Sequence, residues 1–370
     1  MRIGIDGMAL AQPKTGVGTY TFELARALAS AGAPQDQFQL ISPLPFAPPV
    51  LAETPPANLQ LIYSKPNVLQ RRWWTIGLPS YLRSHPLDLF HGTNYEAPLR
   101  GSCPAVITIH DLSLLLHSNT HQARAVRRAR LLLPLMARQA KAIITPSEPI
   151  KSEVCEHLKI STEKVFATPL APRSVFQPMS PADTVETRQR LGLADEFLLF
   201  VGTIEPRKNL STLLRAFEEV LRTTDLKPQL VVAGQVGWKS DELLSQLERS
   251  PAREHIKPIG FVSDEDLRAL YSSCSAFVYP SIYEGFGLPP LEAMACGAPV
   301  VASRVPSINE SVARVTSATD FRDLARIVVE LLSDQQLRRS LSERGLKHVR
   351  NFSWARTAAL TREVYTQVLR

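Results

Sequence analysis

Cysteine is scarce: Cys103, Cys155, Cys274 and Cys296 lie far apart in 370 residues, with no C-x-x-C pair and no histidine at zinc-finger spacing. That excludes a disulfide-stapled scaffold and a structural zinc module, and four reduced, buried or half-buried thiols of a cytosolic protein are expected. Long apolar runs are missing too. The longest nearly apolar stretch, Leu131 to Ala137, contains Pro134 and is far shorter than the roughly 20 residues of a spanning helix. The chain opens on Met1-Arg2-Ile3-Gly4-Ile5-Asp6, strand-like and without the basic and apolar regions of a secretory signal, so none is expected. Low-complexity tracts and short repeats are absent. With 44% hydrophobic and 21% charged residues, disordered, collagen-like and coiled-coil chains are excluded. What remains is a packed, enzyme-sized chain, long enough for about two domains of roughly 150 residues.

Acidic residues are in deficit only in the first half. Met1 to Ser180 holds 18 Lys and Arg against 11 Asp and Glu, and the remainder holds 24 against 24, so the net charge of +7 belongs to the first half. A basic lobe beside a neutral one points to an acidic partner for the first: anionic lipid, a phosphorylated substrate or nucleic acid. Arg71-Arg72-Trp73-Trp74 and the series Arg124, Arg127, Arg128, Arg130 fit a membrane-surface patch, with tryptophan at the headgroups and arginine on anionic lipid. A solvated helix face explains them equally well.

Short β-rich runs punctuate the first half at Arg2–Asp6, Gln39–Ser42, Leu59–Tyr63, Asp88–Gly92, Ala105–Asp111, Ala142–Ser147 and Val165–Leu170. Helical spacing falls between several of them, at Val17–Ser30 and Gln122–Ala140. Pro178-Met179-Ser180-Pro181-Ala182-Asp183 then breaks the periodicity as an exposed linker would, and the domain boundary is expected there. The second half repeats the rhythm, with strands at Phe197–Gly202, Leu230–Gly234, Ile256–Gly260, Ala276–Pro280 and Pro299–Ala302. Helices fall at Leu210–Leu221, Asp241–Leu247, Asp264–Ser272 and Pro289–Cys296, and three more close the chain at Phe321–Ser333, Gln335–Arg350 and Trp354–Leu369. This is an α/β pattern of two doubly wound parallel sheets, and a ligand large enough to touch both is expected in a cleft between them.

The chemistry-bearing segments sit where such strands end. Gly285-Phe286-Gly287-Leu288-Pro289-Pro290 follows a strand and opens a helix; its free amides and positive dipole end suit a diphosphate. Glu284 and Glu292 bracket that loop and are placed to accept hydrogen bonds from sugar hydroxyls on either side of the diphosphate. Glycine turns and acidic first turns also occur for structural reasons alone. Gly202-Thr203-Ile204-Glu205-Pro206-Arg207-Lys208-Asn209 ends another strand of the same sheet, where Arg207 and Lys208 would neutralise a departing diphosphate. Thr15-Gly16-Val17-Gly18-Thr19-Tyr20 falls short of G-x-G-x-x-G and fits either an anion-facing turn or a purely structural one. His110-Asp111 closes an apolar strand, a position for bonding a substrate hydroxyl or moving a proton, or for a capping role. His91 is a similar candidate. Asp264-Glu265-Asp266 superficially resembles a metal-binding D-x-D, but Ser263 before it reads better as a helix cap; no metal site is expected.

Taken together, Glu284-x7-Glu292 around G-F-G-L-P, the E-P-R-K-N segment, the first glycine turn and the His110-Asp111 strand end resemble the family-4 retaining glycosyltransferases. The likeness runs over essentially the whole chain, and within the family it is nearest to bacterial mannosyltransferases of surface-polysaccharide assembly. It implies the GT-B fold of two Rossmann-like lobes, an acceptor-binding domain over 1–178 and a donor-binding domain over 179–352, with the helix at 353–370 packing back on the first. It also implies no required metal or cofactor, and a nucleoside diphosphate sugar as donor substrate, GDP-mannose first. The acceptor would be a glycan or a polyprenyl-diphosphate-linked sugar, met in the cytoplasm at the inner face of the membrane, with no role for nucleic acid. By position, Glu292 would accept the ribose hydroxyls and Glu284 the donor-sugar hydroxyls. The amides of Gly285, Phe286, Gly287 and Leu288 would hold sugar and phosphate, beside Gly202 and Thr203. Lys208, helped by Arg207, would bind the diphosphate, Gly16 would contact it from the first domain, Gly260-Phe261-Val262 would meet the base, and His110 would lie against the transferred sugar.

Retention in this family is described as front-face attack, with the leaving phosphate assisting acceptor deprotonation, consistent with the absence of a convincing nucleophile and acid pair. Thr203 stands where many members carry a second phosphate-binding arginine, and Ser303 to Asp320 is shorter than usual. A GT-B nucleotide-sugar epimerase and a non-catalytic nucleotide-sugar-binding scaffold are the alternative readings.

Overall fold

The computed structural model describes residues 1–11, 16–47, 54–68, 71–98 and 101–370; Thr15 of the first glycine turn lies outside them. The chain forms two compact units. One comprises Met1–Leu112, Arg127–Leu170 and Phe352–Arg370, the other Ser113–Val126 and Ala171–Asn351.

In the first unit, β1 (Arg2–Asp6), β2 (Gln37–Ser42), β3 (Leu59–Tyr63), β4 (Leu89–Gly92), β5 (Ala105–Thr108), β6 (Ala142–Thr145) and β7 (Val165–Ala167) form one sheet. Its order is β3-β2-β1-β4-β5-β6-β7, and every pairing is parallel. Each strand therefore needs a crossover, and β5 shows a strand apolar on both faces, with the adjacent Val106 and Ile107 both fully buried. The helix Gly16–Ala31 buries Leu24, Ala25 and Leu28 at helical spacing. The C-terminal helix Trp354–Leu369 packs against it. Thr357 donates to the Pro169 carbonyl at 2.6 Å, and Arg362 reaches Asp36, which also holds the Met1 ammonium.

In the second unit, β8 (Phe197–Val201), β9 (Gln229–Ala233), β10 (Ile256–Gly260), β11 (Ala276–Tyr279), β12 (Val300–Ser303) and β13 (Arg314–Thr316) form a parallel sheet of order β10-β9-β8-β11-β12-β13. Leu210, Leu213, Leu214, Phe217 and Val220 of one helix and Leu324, Ile327, Val328 and Leu331 of another share one apolar cluster with Leu198, Phe200 and Val232 of the strands.

Three expectations change. The proline-rich break at 178–183 is a helix start: Ser180 Oγ accepts from the Asp183 amide, and the helix Pro181–Leu191 opens on proline, whose missing N–H costs nothing there. The passage into the second unit comes earlier, after Leu170. β13 was not foreseen, because three residues beginning with Arg314 carry no readable alternation; its partner β12 supplies the register, Ala302 against Val315. Trp73 is not a headgroup anchor, since the π-helical turn Trp73–Gly77 leaves it only 6% exposed. Cys274 and Cys296 are buried and Cys103 and Cys155 half-buried, all as free thiols.

Gly234, just past the end of β9, is forced by contact. A Cβ on Gly234, whose φ is +146°, would lie 1.9 Å from the Gly202 carbonyl oxygen, a backbone atom that cannot swing aside. Gly234→Ala is expected to cost about 3 kcal/mol from overpacking and backbone strain together, measured by chemical denaturation; an unchanged midpoint would show that the two turns separate freely.

Candidate functional site

Parallel strands deliver their carboxyl ends to one edge of a sheet, so the turns after β8 and β11, neighbours in the second sheet, lie side by side. After β8 the backbone runs through Gly202, Thr203 and Ile204 into a tight turn, Pro206–Lys208, that starts at Glu205. Asn209 then takes a left-handed conformation (φ 57°, ψ 38°), which asparagine tolerates better than most residues. Its side-chain amide donates to the carbonyls of Pro280 and Ala318 at 2.9 and 2.5 Å, so it staples this turn to the segment after β11.

That staple brings charges together. Lys208 Nζ lies 2.7 Å from Glu284 Oε1 and donates to the Tyr279 hydroxyl at 2.6 Å. Ser281 and Tyr279 donate to the same Glu284 oxygen at 2.5 and 2.9 Å, and Arg207 Nη1 stands 3.0 Å from it. Arg207 also donates to the Tyr283 carbonyl and, at 2.8 Å, to Glu205 Oε1. Burial alone would raise the Glu284 carboxyl, but Lys208 and Arg207 beside it and the bonds from Lys208 and Ser281 hold it at about 2. Burial lowers the Lys208 ammonium, against the pull of Glu284. Burial and the Glu284 charge push Tyr279 far up, so its hydroxyl stays protonated.

Beyond Glu284 the loop turns through Gly287, left-handed at φ 99°, into the helix Leu288–Ala295 with prolines in its first turn. A Cβ on Gly287 would sit 2.9 Å from both Ser307 Oγ and Val305 Cγ2. Ser307 closes the turn, its amide donating to the Phe286 carbonyl and its hydroxyl to that of Gly287, both at 2.9 Å. Glu292 lies in the second turn of this helix, nearly buried, with Arg173 Nε 3.9 Å away. Arg173 grips Asp264 with both Nη atoms, at 2.6 and 2.9 Å, and Ser263 Oγ caps the next helix by accepting from Asp266 N. Asp264 and Asp266, which is paired with Arg190, are thus engaged in helix capping and ion pairs. At the end of β10, Gly260 is left-handed (φ 68°) and Phe261 is 57% exposed.

Gly16 and His110 belong to the first unit. Gly16 opens its helix exposed, with open space where a Cβ would stand. His110 follows β5; its Nε2 donates to the Thr93 carbonyl at 2.8 Å and its ring meets Tyr20 edge-on at 4.7 Å. Burial lowers its pKa, and a carbonyl only accepts, so the neutral ring offers Nδ1 as an acceptor. His91 belongs to the core instead. Fully buried, it bonds the Tyr365 hydroxyl at 2.6 Å and Thr108 Oγ1 at 2.8 Å, and burial, with His110 nearby, drives it to about 3.

The expected Gly202, Arg207, Lys208 and Glu284 thus meet at one edge of the second sheet, with Gly285, Phe286, Gly287 and Leu288 following directly. Sequence reasoning gave Glu205 no role although it opens the E-P-R-K-N segment, and it missed Tyr279 and Ser281, whose only signal was proximity to motif residues. It also missed Asp6, the last residue of β1, which burial raises to about 7 against a bond from the Met8 amide.

Residues 14–170 match the sequence profile of Glycosyltransferase Family 4, and residues 183–348 match that of Glycosyl transferases group 1. The O-antigen chain mannosyltransferase B of Escherichia coli is 33% identical over 95% of this chain and 96% of its own length. The serotype-specific mannosyltransferase WbdA of Escherichia coli is 34% identical over 62% of this chain, which spans 29% of that longer protein. Among solved structures, Anabaena HepE in complex with UDP-glucose shares the fold, with a TM-score of 0.79 at 19% identity, covering 99% of this chain and 100% of that one.

Removing Glu284 leaves two buried cations without their shared carboxylate. Glu284→Ala is expected to cost about 3 kcal/mol at neutral pH. Because the folded-state pKa is depressed, from 4.5 to about 2, the stabilisation is present above the unfolded value and fades as pH falls through the folded one. Denaturant titrations should therefore show the gap between wild type and variant closing with acid; a gap independent of pH would mean the carboxylate charge is not what stabilises the turn.

Proposed function

Since the chain belongs to glycosyltransferase family 4, we propose that it moves a hexosyl group, with retention of configuration, from a nucleoside diphosphate sugar to an acceptor hydroxyl in polysaccharide assembly. GDP-mannose is the first donor to test, a choice supported by the mannosyltransferase relatives. The acceptor is a glycan or a polyprenyl-diphosphate-linked sugar. The observation that carries this reading is the convergence of Lys208 and Arg207 on Glu284, directly before the glycine-led helix start at 285–288.

In this reading the second unit holds the donor. Glu292 accepts the ribose hydroxyls, Glu284 the sugar hydroxyls, and the exposed Phe261 lies against the base together with the backbone of Gly260 and Val262. The amides of Phe286, Gly287 and Leu288 face sugar and phosphate, as does the turn at Gly202 and Thr203. Lys208 and Arg207 compensate the diphosphate without a metal ion, a preorganised charge that stabilises the leaving group. As the bond from the anomeric carbon to the phosphate oxygen breaks, the acceptor oxygen bonds that carbon on the same face, and the departing phosphate takes the acceptor proton. In the first unit, neutral His110 presents Nδ1 as an acceptor for a sugar hydroxyl.

Melting temperatures with GDP-, UDP- and ADP-sugars, with chelator and no added metal, test this. A selective, concentration-dependent rise is expected with one of them and should be lost in Glu292→Ala; no rise with any would overturn the reading.

Attachment to the inner face of the membrane is the second part of the proposal. No helix among the described residues is long and apolar enough to cross a membrane. The helix Ala123–Gln139 has no acidic residue and exposes Leu131 (75%) and Leu135 beside Arg127 and Arg130, whereas Arg128 is paired with Glu96. Reversing Arg127 and Arg130 to glutamate should reduce sedimentation with anionic vesicles by at least about 1 kcal/mol of binding per charge; unchanged sedimentation would sink the membrane assignment.

A further inference from the structure

Glu205 is the acidic residue of the second unit's site that no sugar or phosphate role accounts for. It is 1% exposed, in extended backbone just ahead of Pro206–Lys208. The chain on either side is held to the segment after β9, Ile204 N donating to the Gln235 carbonyl and Gly237 N to that of Ile204. Gly237 packs so closely that a Cβ on it would lie 3.5 Å from the Glu205 Cβ and 2.6 Å from Thr203. Glu205 is therefore walled in on the side of Gly237 and buried in the fold. One oxygen, Oε1, accepts from Arg207 at 2.8 Å; the other, Oε2, is buried with no hydrogen-bond partner.

The charges around it balance. Arg207 and Lys208 face Glu205 from its own turn, and Glu284 and Tyr279 face it from β11 and the turn beyond. Lys239, beyond Gly237, donates to the Asn119 carbonyl. Two cations and two carboxylates cancel, so a bound diphosphate would make the buried cluster strongly negative. Glu284 is the wrong group to neutralise, because Lys208, Arg207, Ser281 and Tyr279 all converge on its charged oxygen. Glu205 has one such contact and one bare oxygen. Burial already raises its pKa, with Glu284 adding to the effect and Arg207 and Lys208 opposing it.

We propose that Glu205 is the positioning residue of the diphosphate site: it holds Arg207 beside Glu284, and it takes up one proton from solvent when the diphosphate binds. The inference rests on the nucleotide-sugar reading above. The balance is simple: the diphosphate brings two negative charges, the proton on Oε2 removes one, and the bond from Arg207 to Oε1 is kept. Affinity for the donor then falls as pH rises, because above the pKa values of both free and bound protein the carboxylate stays charged beside the phosphates.

Calorimetric titration of the full chain with GDP-mannose and UDP-glucose, whose diester phosphates do not titrate near neutrality, tests this in buffers of different ionisation enthalpy over a pH series that starts in the ordinary carboxyl range and runs upward, the direction in which burial moves this carboxyl. The expected result is buffer-dependent heat amounting to uptake of up to one proton, and a Kd that rises by at most about tenfold per pH unit. Glu205→Gln still accepts from Arg207 but cannot titrate, so its heat should be independent of buffer and its Kd flat with pH. In wild-type protein, a carboxylic-acid carbonyl band should appear in the infrared difference spectrum on ligand binding, a readout that needs no variant to fold. Binding without proton uptake would overturn the proposal and leave the nucleotide-sugar reading intact. Uptake that persists in Glu205→Gln would overturn the assignment to Glu205 in favour of Lys208. No binding heat with either nucleotide sugar would overturn both.

Discussion

Lys208 and Glu284 meet at the edge of a buried parallel sheet, and their ion pair organises the charged and hydroxyl groups around it. Taking either charge out of water alone would be costly; together, with Ser281, Tyr279 and Arg207 closing on one carboxylate oxygen and Glu205 paired with Arg207, they form a cluster whose charges cancel. Such a cluster holds two cations at a strand edge without their repelling each other. It also has a directional consequence: donors from Lys208, Ser281 and Tyr279 converge on one carboxylate oxygen, shortly before a helix start whose first turn carries prolines.

The first unit is stabilised by a different device. The Tyr365 hydroxyl, His91, Thr108 and Tyr20 form an unbroken buried hydrogen-bonded string, with links of 2.6, 2.8 and 2.8 Å, from the C-terminal helix through β4 and β5 to the first helix. Tyr20 in turn packs edge-on against His110. The imidazole at the strand end is thus oriented by groups contributed from both ends of the chain, and buried polar groups satisfied in this way favour one arrangement of their surroundings. Together with the Thr357 bond to Pro169 and the Arg362 pair with Asp36, it ties the C-terminal helix into a unit otherwise built from the first half of the sequence.

Much of this architecture was legible because it is local. Strand cores such as Ile3 and Ile5, Ala142 to Thr145 and Phe197 to Val201 announce themselves as short apolar runs, and the helices Phe321–Ser333 and Trp354–Leu369 carry 3.6-residue spacing between recognisable caps. What was misread were elements whose signal is ambiguous locally. Ser180-Pro181 reads equally as linker or cap, β13 is too short to alternate, and Trp73 beside two arginines resembles an exposed anchor although its turn carries it inward.

The site divides along the same line. Sequence alone determined which residue types stand at the carboxyl ends of the strands, because strand, glycine turn and helix start follow one another within a few positions. It determined the candidates Arg207, Lys208, Glu284 and the 285–288 loop, and through them the family resemblance. Only the tertiary structure decided that Lys208 reaches across 76 positions to Glu284, that Tyr279 and Ser281 share the same oxygen, that Glu205 is walled in with an unpartnered atom, and that His91 is core while His110 is not. The physical reason is that backbone periodicity is set by neighbours in the chain, whereas the energy of a buried charge is set by whatever the fold places within a few ångströms of it, and that depends on which strands lie side by side.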